Sequence, residues 1–241
     1  MKPEFWRMPA PNPATLAALP QKTAALAERL QAVAERFPNA IFASSLAAED
    51  AIITDQIAAL KLPLRVITLN TGKLNAETEA LIAETRRRYP ELAFSVFEPQ
   101  AEAAAEFEQM HGSAAMYESV ELRKRCCQIR KIEPLNRALE GAAAWLTGQR
   151  RSQSVTRSDL HLEEADSARG IAKFNPIFDW EDDDVWAYVQ THQVPMNALY
   201  QQGYPSIGCE PCTRPVKVDE DIRAGRWWWE QKDSKECGLH K

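Results

Sequence analysis

Amphipathic stretches and short apolar runs alternate along the first 150 residues of the chain. Within residues 20–36, Leu26, Leu30 and Val33 recur at the spacing that places apolar side chains on one stripe of a helix. Shorter apolar runs follow, bounded by polar residues, and such runs are typical of buried strands. The pattern predicts strands at residues 40–43, 65–69, 92–97 and 143–146. It predicts helices at residues 20–36 and 48–60, a third that ends at residues 86–88, and a fourth that runs through residue 110.

The order of these segments indicates how they assemble. Strands that alternate with helices form a mainly parallel sheet with helices on both faces, so we predict a doubly wound α/β fold. A chain of 241 residues can hold one such domain and an extension. We predict an α/β domain over residues 1–200 and a C-terminal segment over residues 201–241. This segment carries three of the cysteines, and the last of them lies on a mobile tail.

Polar loops leave the carboxyl ends of the predicted strands, where open α/β sheets bind their ligands. Ser44 and Ser45 stand before a helix, whose free N–H groups favour an anion, although serine is also a common helix cap. Another loop covers residues 147–157, and its candidate binding residues are Gly148, Arg150, Arg151 and Arg157. Arginine forks suit phosphate or sulfate. This loop contains no acidic residue, and the first one after it is Asp159. We therefore expect an uncompensated positive field at the loop.

Composition and charge narrow the classes of function. Hydrophobic residues make up 45% of the chain and charged residues 26%, as in ordinary soluble globular proteins. The net charge of −5 argues against a general nucleic-acid binder. No segment approaches the roughly 18 apolar residues of a membrane span. The proline-rich start of the chain contains no apolar run like that of a signal peptide, so we expect a cytoplasmic protein. We expect no nucleic-acid or membrane partner. Both a monomer and a homo-oligomer are compatible with the sequence.

The cysteines carry the strongest chemical signal. Four stand in two tight pairs, Cys126-Cys127 and Cys209-x-x-Cys212, and the fifth, Cys237, lies close to the end of the sequence. Four thiolates at one point suit either zinc or an iron–sulfur cluster. Zinc sites usually draw each pair from a turn with two to four spacer residues, so the pair without a spacer favours iron–sulfur and leaves zinc as the rival. A lone thiol beside Gly238 suggests a nucleophile.

Basic residues flank the first cysteine pair. Residues 122–131 contain five lysines and arginines, among them Lys131, which lies four residues after Cys127. Cationic neighbours stabilise a thiolate over a thiol and attract an anionic substrate. In a helix, Lys131 and Cys127 would share one face.

Taken together, these motifs resemble a known family. The matching segments are residues 44–50, 69–78, 126–135, 147–157, 209–214 and 236–240. In them the chain is similar to the assimilatory adenylyl-sulfate reductases, the cluster-containing branch of the phosphoadenylyl-sulfate reductase family. The segments stand in the family's order from Ser44 to His240, so the resemblance covers most of the chain. Two positions depart from the family pattern: Ala47 stands where glycine is frequent, and Asn70 where aspartate is frequent.

The resemblance implies an adenine-nucleotide α-hydrolase-like fold and a specific chemistry. A 4Fe–4S cluster would be held by Cys126, Cys127, Cys209 and Cys212. Cys237 would attack the sulfur of adenylyl sulfate, AMP would leave, and thioredoxin would release sulfite from the cysteine S-sulfonate. The implied contacts to the substrate's oxyanions are Lys131, Arg223, Arg226 and His240.

Other functions remain as alternatives. The same reaction on 3′-phosphoadenylyl sulfate is the nearest. An ATP pyrophosphatase of the same fold typically carries a Ser-Gly-Gly-x-Asp-Ser loop, which Ser44-Ser45-Leu46-Ala47 does not match. A non-catalytic iron–sulfur redox sensor that binds a nucleotide would leave Cys237 and the arginine loop without a role.

Overall fold

A computed structural model describes residues 4–153 and 157–231. Its sheet has the strand order β3-β2-β1-β4-β6-β5, with β5 antiparallel to β6 and all other neighbours parallel. The strands are β1 Ile41–Ser44, β2 Arg65–Leu69, β3 Phe94–Phe97, β4 Ala144–Leu146, β5 Glu163–Asp166 and β6 Ile171–Phe174. The predicted mainly parallel sheet is therefore confirmed.

Helices cover both faces of this sheet. They are α1 Pro13–Arg36, α2 Ala48–Ala59, α3 Ala76–Arg88, α4 Ala101–His111, α5 Val120–Cys127, α6 Glu133–Ala138 and α7 Asp182–His192. A short π-helical segment, Gln128–Ile132, joins α5 to α6. None of the helices in the described ranges is both long and apolar enough for a membrane span.

Alternate residues of the strands pack in two separate hydrophobic cores. Phe42 and Val66 pack in one cluster with buried side chains of α1, α2 and α7. Their chain neighbours Ile41 and Ile67 pack in a second cluster with Leu135 of α6. Successive side chains of a strand point to opposite faces, so this division shows a sheet covered on both sides, as a doubly wound fold requires.

The start of α1 and the number of strands differ most from the prediction. Helix α1 begins at Pro13 rather than at residue 20, because the Asn12 side chain accepts a hydrogen bond from the Thr15 backbone N–H at 2.8 Å and caps the helix. Proline is also well tolerated in the first turn, where its missing N–H needs no partner. Strands β5 and β6 were not predicted. The sequence of β5, Glu-Glu-Ala-Asp, lacks the apolar character of the inner strands, and this strand lies at the edge of the sheet.

The chain after α7 folds back over both the N-terminus and the loop that follows β2. The Trp6 N–H donates to the Val216 carbonyl at 2.8 Å, and the Glu210 N–H donates to the Lys73 carbonyl at 2.8 Å. The second cysteine pair is therefore brought next to the carboxyl end of β2. The division at residues 200 and 201 stays a prediction.

Candidate functional site

A cavity of about 340 Å³ opens at the carboxyl ends of β1, β2 and β4. Its wall includes Ser44 at the end of β1, Ser45 directly after it, Thr71 after β2 and Gly148 after β4. Cys209, Lys131, Arg223 and Arg226 line the same cavity. The structure thus brings the predicted polar loops together with one cysteine and three cations, although the sequence places them up to 182 residues apart.

The loop after β1 is held by Asp50, to which the sequence assigned no role. The Ser45 backbone N–H and hydroxyl both donate to Asp50 Oδ2, at 2.5 Å and 2.6 Å. The backbone of Gly148 also hydrogen-bonds this carboxyl group, so Asp50 ties the loop after β1 to the loop after β4. Burial raises the pKa of Asp50 to about 7, against the opposing effect of the hydrogen bonds from Ser45.

Gly148 fits against Asp50 with no room for a side chain. A Cβ at this position would lie 2.0 Å from Asp50 Oδ1 and 3.2 Å from the Cβ of Glu49. Glycine therefore permits the β4 loop to reach the start of α2. The position is a binding candidate because its backbone lines the cavity.

Arg150 is compensated by two acidic residues. Its buried guanidinium donates to Glu49 at 2.8 Å and to Asp182 at 2.6 Å. Burial favours the neutral form of Glu49, but Arg150 outweighs it and lowers the pKa of this carboxyl group. The expectation of an uncompensated positive field is therefore wrong for Arg150, because both acids arrive from elsewhere in the fold. Its role in substrate binding stays a prediction.

The other two loop arginines lie in different places. Arg151 donates through Nε to the Leu160 carbonyl at 2.8 Å, and its guanidinium lies 4.5 Å from the ring centroid of Phe178. Arg151 is not among the residues that line the cavity, and its role in substrate binding stays a prediction. Arg157 lines the cavity and donates to Gln153.

The four paired cysteines are buried and unbridged. Cys126, Cys209 and Cys212 share one apolar cluster with Phe107, Met116 and Trp227, and the charge on Cys127 influences both Cys126 and Cys212. The two pairs, 82 residues apart from Cys127 to Cys209, are thus brought together as the sequence predicted.

The two thiols of the second pair have different pKa values because their electrostatic surroundings differ. Burial disfavours the Cys209 thiolate, but Lys131, a hydrogen bond with Thr71 and Arg226 outweigh it and lower the pKa of Cys209. The distance between Thr71 Oγ1 and Cys209 Sγ is 3.2 Å. Burial and the neighbouring Cys209 raise the pKa of Cys212 to about 12. The site therefore favours negative charge on Cys209, the cysteine that borders the cavity.

These four thiols are the side chains that could hold an iron–sulfur group. Their chemistry fits, since they are soft ligands that are buried and lie beside Lys131, Arg130 and Arg226. Among residues 4–153 and 157–231, no group of three or more histidines, cysteines and carboxylates has the arrangement of a site for a single metal ion.

Arg226 is fixed at the edge of the cavity. Its Nη1 donates to the Ile207 carbonyl at 2.9 Å, and its guanidinium lies 4.8 Å from the ring centroid of Trp227. A Cβ at Gly208 would come within 2.3 Å of Arg226 Nη2, so the guanidinium occupies the space next to the glycine. The predicted nucleophile Cys237 and the predicted oxyanion contact His240 lie outside the described residues.

Comparison with known proteins adds the following similarities. Residues 39–215 match the family model described as a phosphoadenosine phosphosulfate reductase domain. A protein from Neisseria meningitidis serogroup A named adenosine 5′-phosphosulfate reductase is 55% identical over 240 residues, 100% of this chain and 98% of the relative. A protein of the same name from Burkholderia cepacia is 58% identical over 199 residues, 83% of this chain and 79% of the relative.

Solved structures agree with the fold. The phosphoadenylyl-sulfate reductase of Candida auris, in a phosphate complex, is similar with a TM-score of 0.67 and 29% identity, over 77% of this chain and 88% of that one. The NH3-dependent NAD synthetase of Campylobacter jejuni has a TM-score of 0.52 at 14% identity, over 73% of this chain and 74% of that one. At that identity the likeness concerns the fold alone.

Proposed function

Since the chain belongs to the phosphoadenosine phosphosulfate reductase family, we propose that it is an oxidoreductase of sulfate assimilation that reduces adenosine 5′-phosphosulfate to sulfite and AMP. The observation that carries this proposal is the shared cavity, in which the strand-end loops of a nucleotide-binding fold meet Lys131, Arg223, Arg226 and a buried thiol. The adenosine 5′-phosphosulfate reductases among the relatives support the substrate without a 3′-phosphate.

The charges of the cavity wall indicate how the substrate lies. On the side of β1 and β4, Glu49 and Asp182 are bonded to Arg150, and Asp50 is held by neutral donors. Beside Cys209 the wall carries Lys131 and Arg226, and Arg223 also lines the cavity. An anionic sulfate group is best placed by the second set, so the adenosine would lie against Ser44, Ser45 and Gly148.

The chemical step uses Cys237. Its thiolate forms a bond to the sulfate sulfur while the bond from that sulfur to the bridging oxygen breaks, and AMP leaves with the electron pair. The negative oxygens of the sulfate oppose a thiolate, so cations at Lys131, Arg223 and Arg226 would stabilise the charge of the transition state. His240 stays a predicted contact to the same oxygens. The product is a cysteine S-sulfonate.

Release of sulfite needs a dithiol, for which we propose thioredoxin. One of its thiolates attacks the Cys237 sulfur and expels sulfite, and its second thiol then resolves the mixed disulfide. The dithiol becomes a disulfide and supplies the two electrons. Cys237 returns to the thiol, ready for another substrate.

A 4Fe–4S cluster on Cys126, Cys127, Cys209 and Cys212 would add a fixed cofactor charge beside Lys131 and Arg226 and would join the two cysteine pairs. The four unbridged thiols also support a reducing cytoplasm. Iron and zinc analysis of protein purified without oxygen tests the assignment. Stoichiometric zinc with no iron contradicts it.

The function is tested by supplying each nucleotide with reduced thioredoxin and measuring sulfite. We expect a much higher kcat/KM for adenosine 5′-phosphosulfate than for its 3′-phosphorylated form. Without thioredoxin, the protein should gain one sulfonate of about 80 Da on the peptide that contains Cys237. The variant Cys237→Ser should keep its iron and its affinity for AMP but make no sulfite. Equal or reversed kcat/KM values would assign the 3′-phosphorylated substrate, and no sulfite from either nucleotide would favour the sensor.

A further inference from the structure

A buried ion pair joins the helix of the first cysteine pair to the C-terminal segment. The side chains of Arg123 in α5 and Glu230 are 0% and 3% exposed. Arg123 Nε donates to Glu230 Oε1 and Nη2 donates to Oε2, both at 2.8 Å. Two parallel hydrogen bonds fix the carboxylate in the plane of the guanidinium.

The same guanidinium contacts two further groups of the site. It lies 4.7 Å from the ring centroid of Trp227, the ring on which Arg226 also lies, and it hydrogen-bonds the Cys127 side chain. The backbone N–H of Trp227 in turn donates to the Cys212 carbonyl at 3.1 Å. Arg123 therefore touches one member of the first cysteine pair and the turn that follows the second.

A buried ion pair of this kind contributes more to the orientation of the chain that carries it than to the stability of the fold. Removing two charges from water offsets most of their attraction, and apolar side chains of similar volume often stabilise a fold as well. A forked pair, in contrast, fixes both the position and the direction of the chain that carries it. Here that chain is the turn from Trp227 to Glu230.

The location of Glu230 limits what the nucleophile can reach. Cys237 follows Glu230 by seven residues, a span of at most about 25 Å when fully extended. We propose that Glu230 is a positioning residue, whose ion pair with Arg123 fixes the origin of the Cys237 segment relative to the cavity and thereby sets the rate of attack on sulfur. This inference rests on the proposed function of Cys237.

The test compares Glu230→Gln with Glu220→Gln. Glu220 makes an equally bidentate pair with Arg214, at 2.7 Å and 2.9 Å, but that pair joins two residues of the C-terminal segment to each other and not to α5. Four quantities are measured without oxygen: iron content, affinity for AMP, the single-turnover rate of S-sulfonate formation on Cys237, and the protection of Cys237 by AMP against iodoacetamide.

We expect Glu230→Gln to keep its iron and to bind AMP within twofold of the unmodified protein. Its S-sulfonation should slow about tenfold to a hundredfold, the usual effect of a small misplacement of a reacting group. AMP protection of Cys237 should also fall, while Glu220→Gln keeps both. Glu230→Asp, which retains the charge, should recover part of the rate.

Several results would overturn the inference. One is an S-sulfonation rate in Glu230→Gln that matches Glu220→Gln. Another is parallel loss of iron, AMP affinity and rate, which would show a role in stability alone. If Glu230→Gln does not fold, Glu230→Asp carries the test, and an unchanged rate and protection in that variant reject the positioning role. Absence of any adduct on Cys237 in the unmodified protein would instead reject the proposed function.

Discussion

Alanine at position 148 should disrupt nucleotide binding without adding strain to the backbone. Its Cβ would lie 2.0 Å from Asp50 Oδ1, where van der Waals contact needs more than 3 Å. The carboxyl group cannot easily retreat, because Asp50 Oδ2 accepts both hydrogen bonds from Ser45. The loop after β4 must therefore move by roughly 1 Å or more, which separates the Gly148 backbone from Asp50.

The magnitude follows from the hydrogen bond that this movement breaks. A hydrogen bond to a charged group contributes about 1.5 to 3 kcal/mol. Restoring the loop when the nucleotide binds would cost that amount, which corresponds to an affinity for AMP that is about 10- to 100-fold weaker. Ser44 and Ser45 line the same cavity, so the displacement also disturbs their side of the site.

Calorimetric titration with AMP in the absence of oxygen measures the effect, and Gly112→Ala is the matched control. Gly112 ends α4, and a Cβ there would meet nothing within 4 Å, but its φ of +84° disfavours alanine. The control should lose about 1 kcal/mol of unfolding free energy and bind AMP normally. A Gly148→Ala variant that binds AMP within twofold of the unmodified protein would refute the contact between the two loops as a condition for binding.

Three further variants test the charges and thiols of the site. The pKa of Asp50 is raised from 3.8 to about 7, so its contribution to the unfolding free energy is greatest below pH 4 and is lost as the pH rises to 7. Asp50→Asn should remove this decline, which is worth about 2.7 kcal/mol between pH 5 and pH 8, from urea unfolding curves at those two pH values, and an unchanged decline would contradict the burial of the charge. Arg150→Lys loses the forked pairing with Glu49 and Asp182, so the unfolding free energy from urea curves should fall by about 1 to 3 kcal/mol. An unchanged unfolding free energy together with weaker AMP binding would show that Arg150 binds the anion directly. Cys212→Ser should lose most of its iron by metal analysis, whereas full iron content would exclude Cys212 as a ligand.

Local patterns predicted four of the six strands, β1 to β4, but neither β5 nor the inner strand β6. The β-branched run of β2 was placed with its correct bounds, Arg65–Leu69, because both ends are marked by polar or turn residues. The sequence did not predict the start of α1, because its cap Asn12 lies in a proline-rich stretch, and such a composition is typical of irregular structure. The edge strand β5 has no apolar signal at all, and only its pairing with Ile171–Phe174 defines it as a strand.

Chemistry was less predictable from the sequence where it depends on partners that are distant along the chain. The meeting of the two cysteine pairs could be inferred, because four clustered thiols are rare and need a common ligand. The pairing of Arg150 could not, since Glu49 and Asp182 lie 101 and 32 residues away and each looks like an ordinary helix-start acid. Asp50 stood within a recognised motif, but its role depends on contact with the Gly148 loop.

These pairings explain how a chain with a net charge of −5 can hold an anionic nucleotide. Near β1 and β4, Arg150 compensates two of the acids that border the cavity, and burial keeps the third, Asp50, partly protonated near pH 7. Beside Cys209, the lining contains Lys131 and Arg226, and Arg223 is a further cation of the cavity wall. The field that an entering ligand meets is therefore set by this local arrangement rather than by the net charge, since exposed charges beyond about 10 Å are largely screened. In the proposed binding mode, the neutral adenosine lies at the end of the cavity where Arg150 already pairs two acids, and the anionic sulfate lies toward the cations.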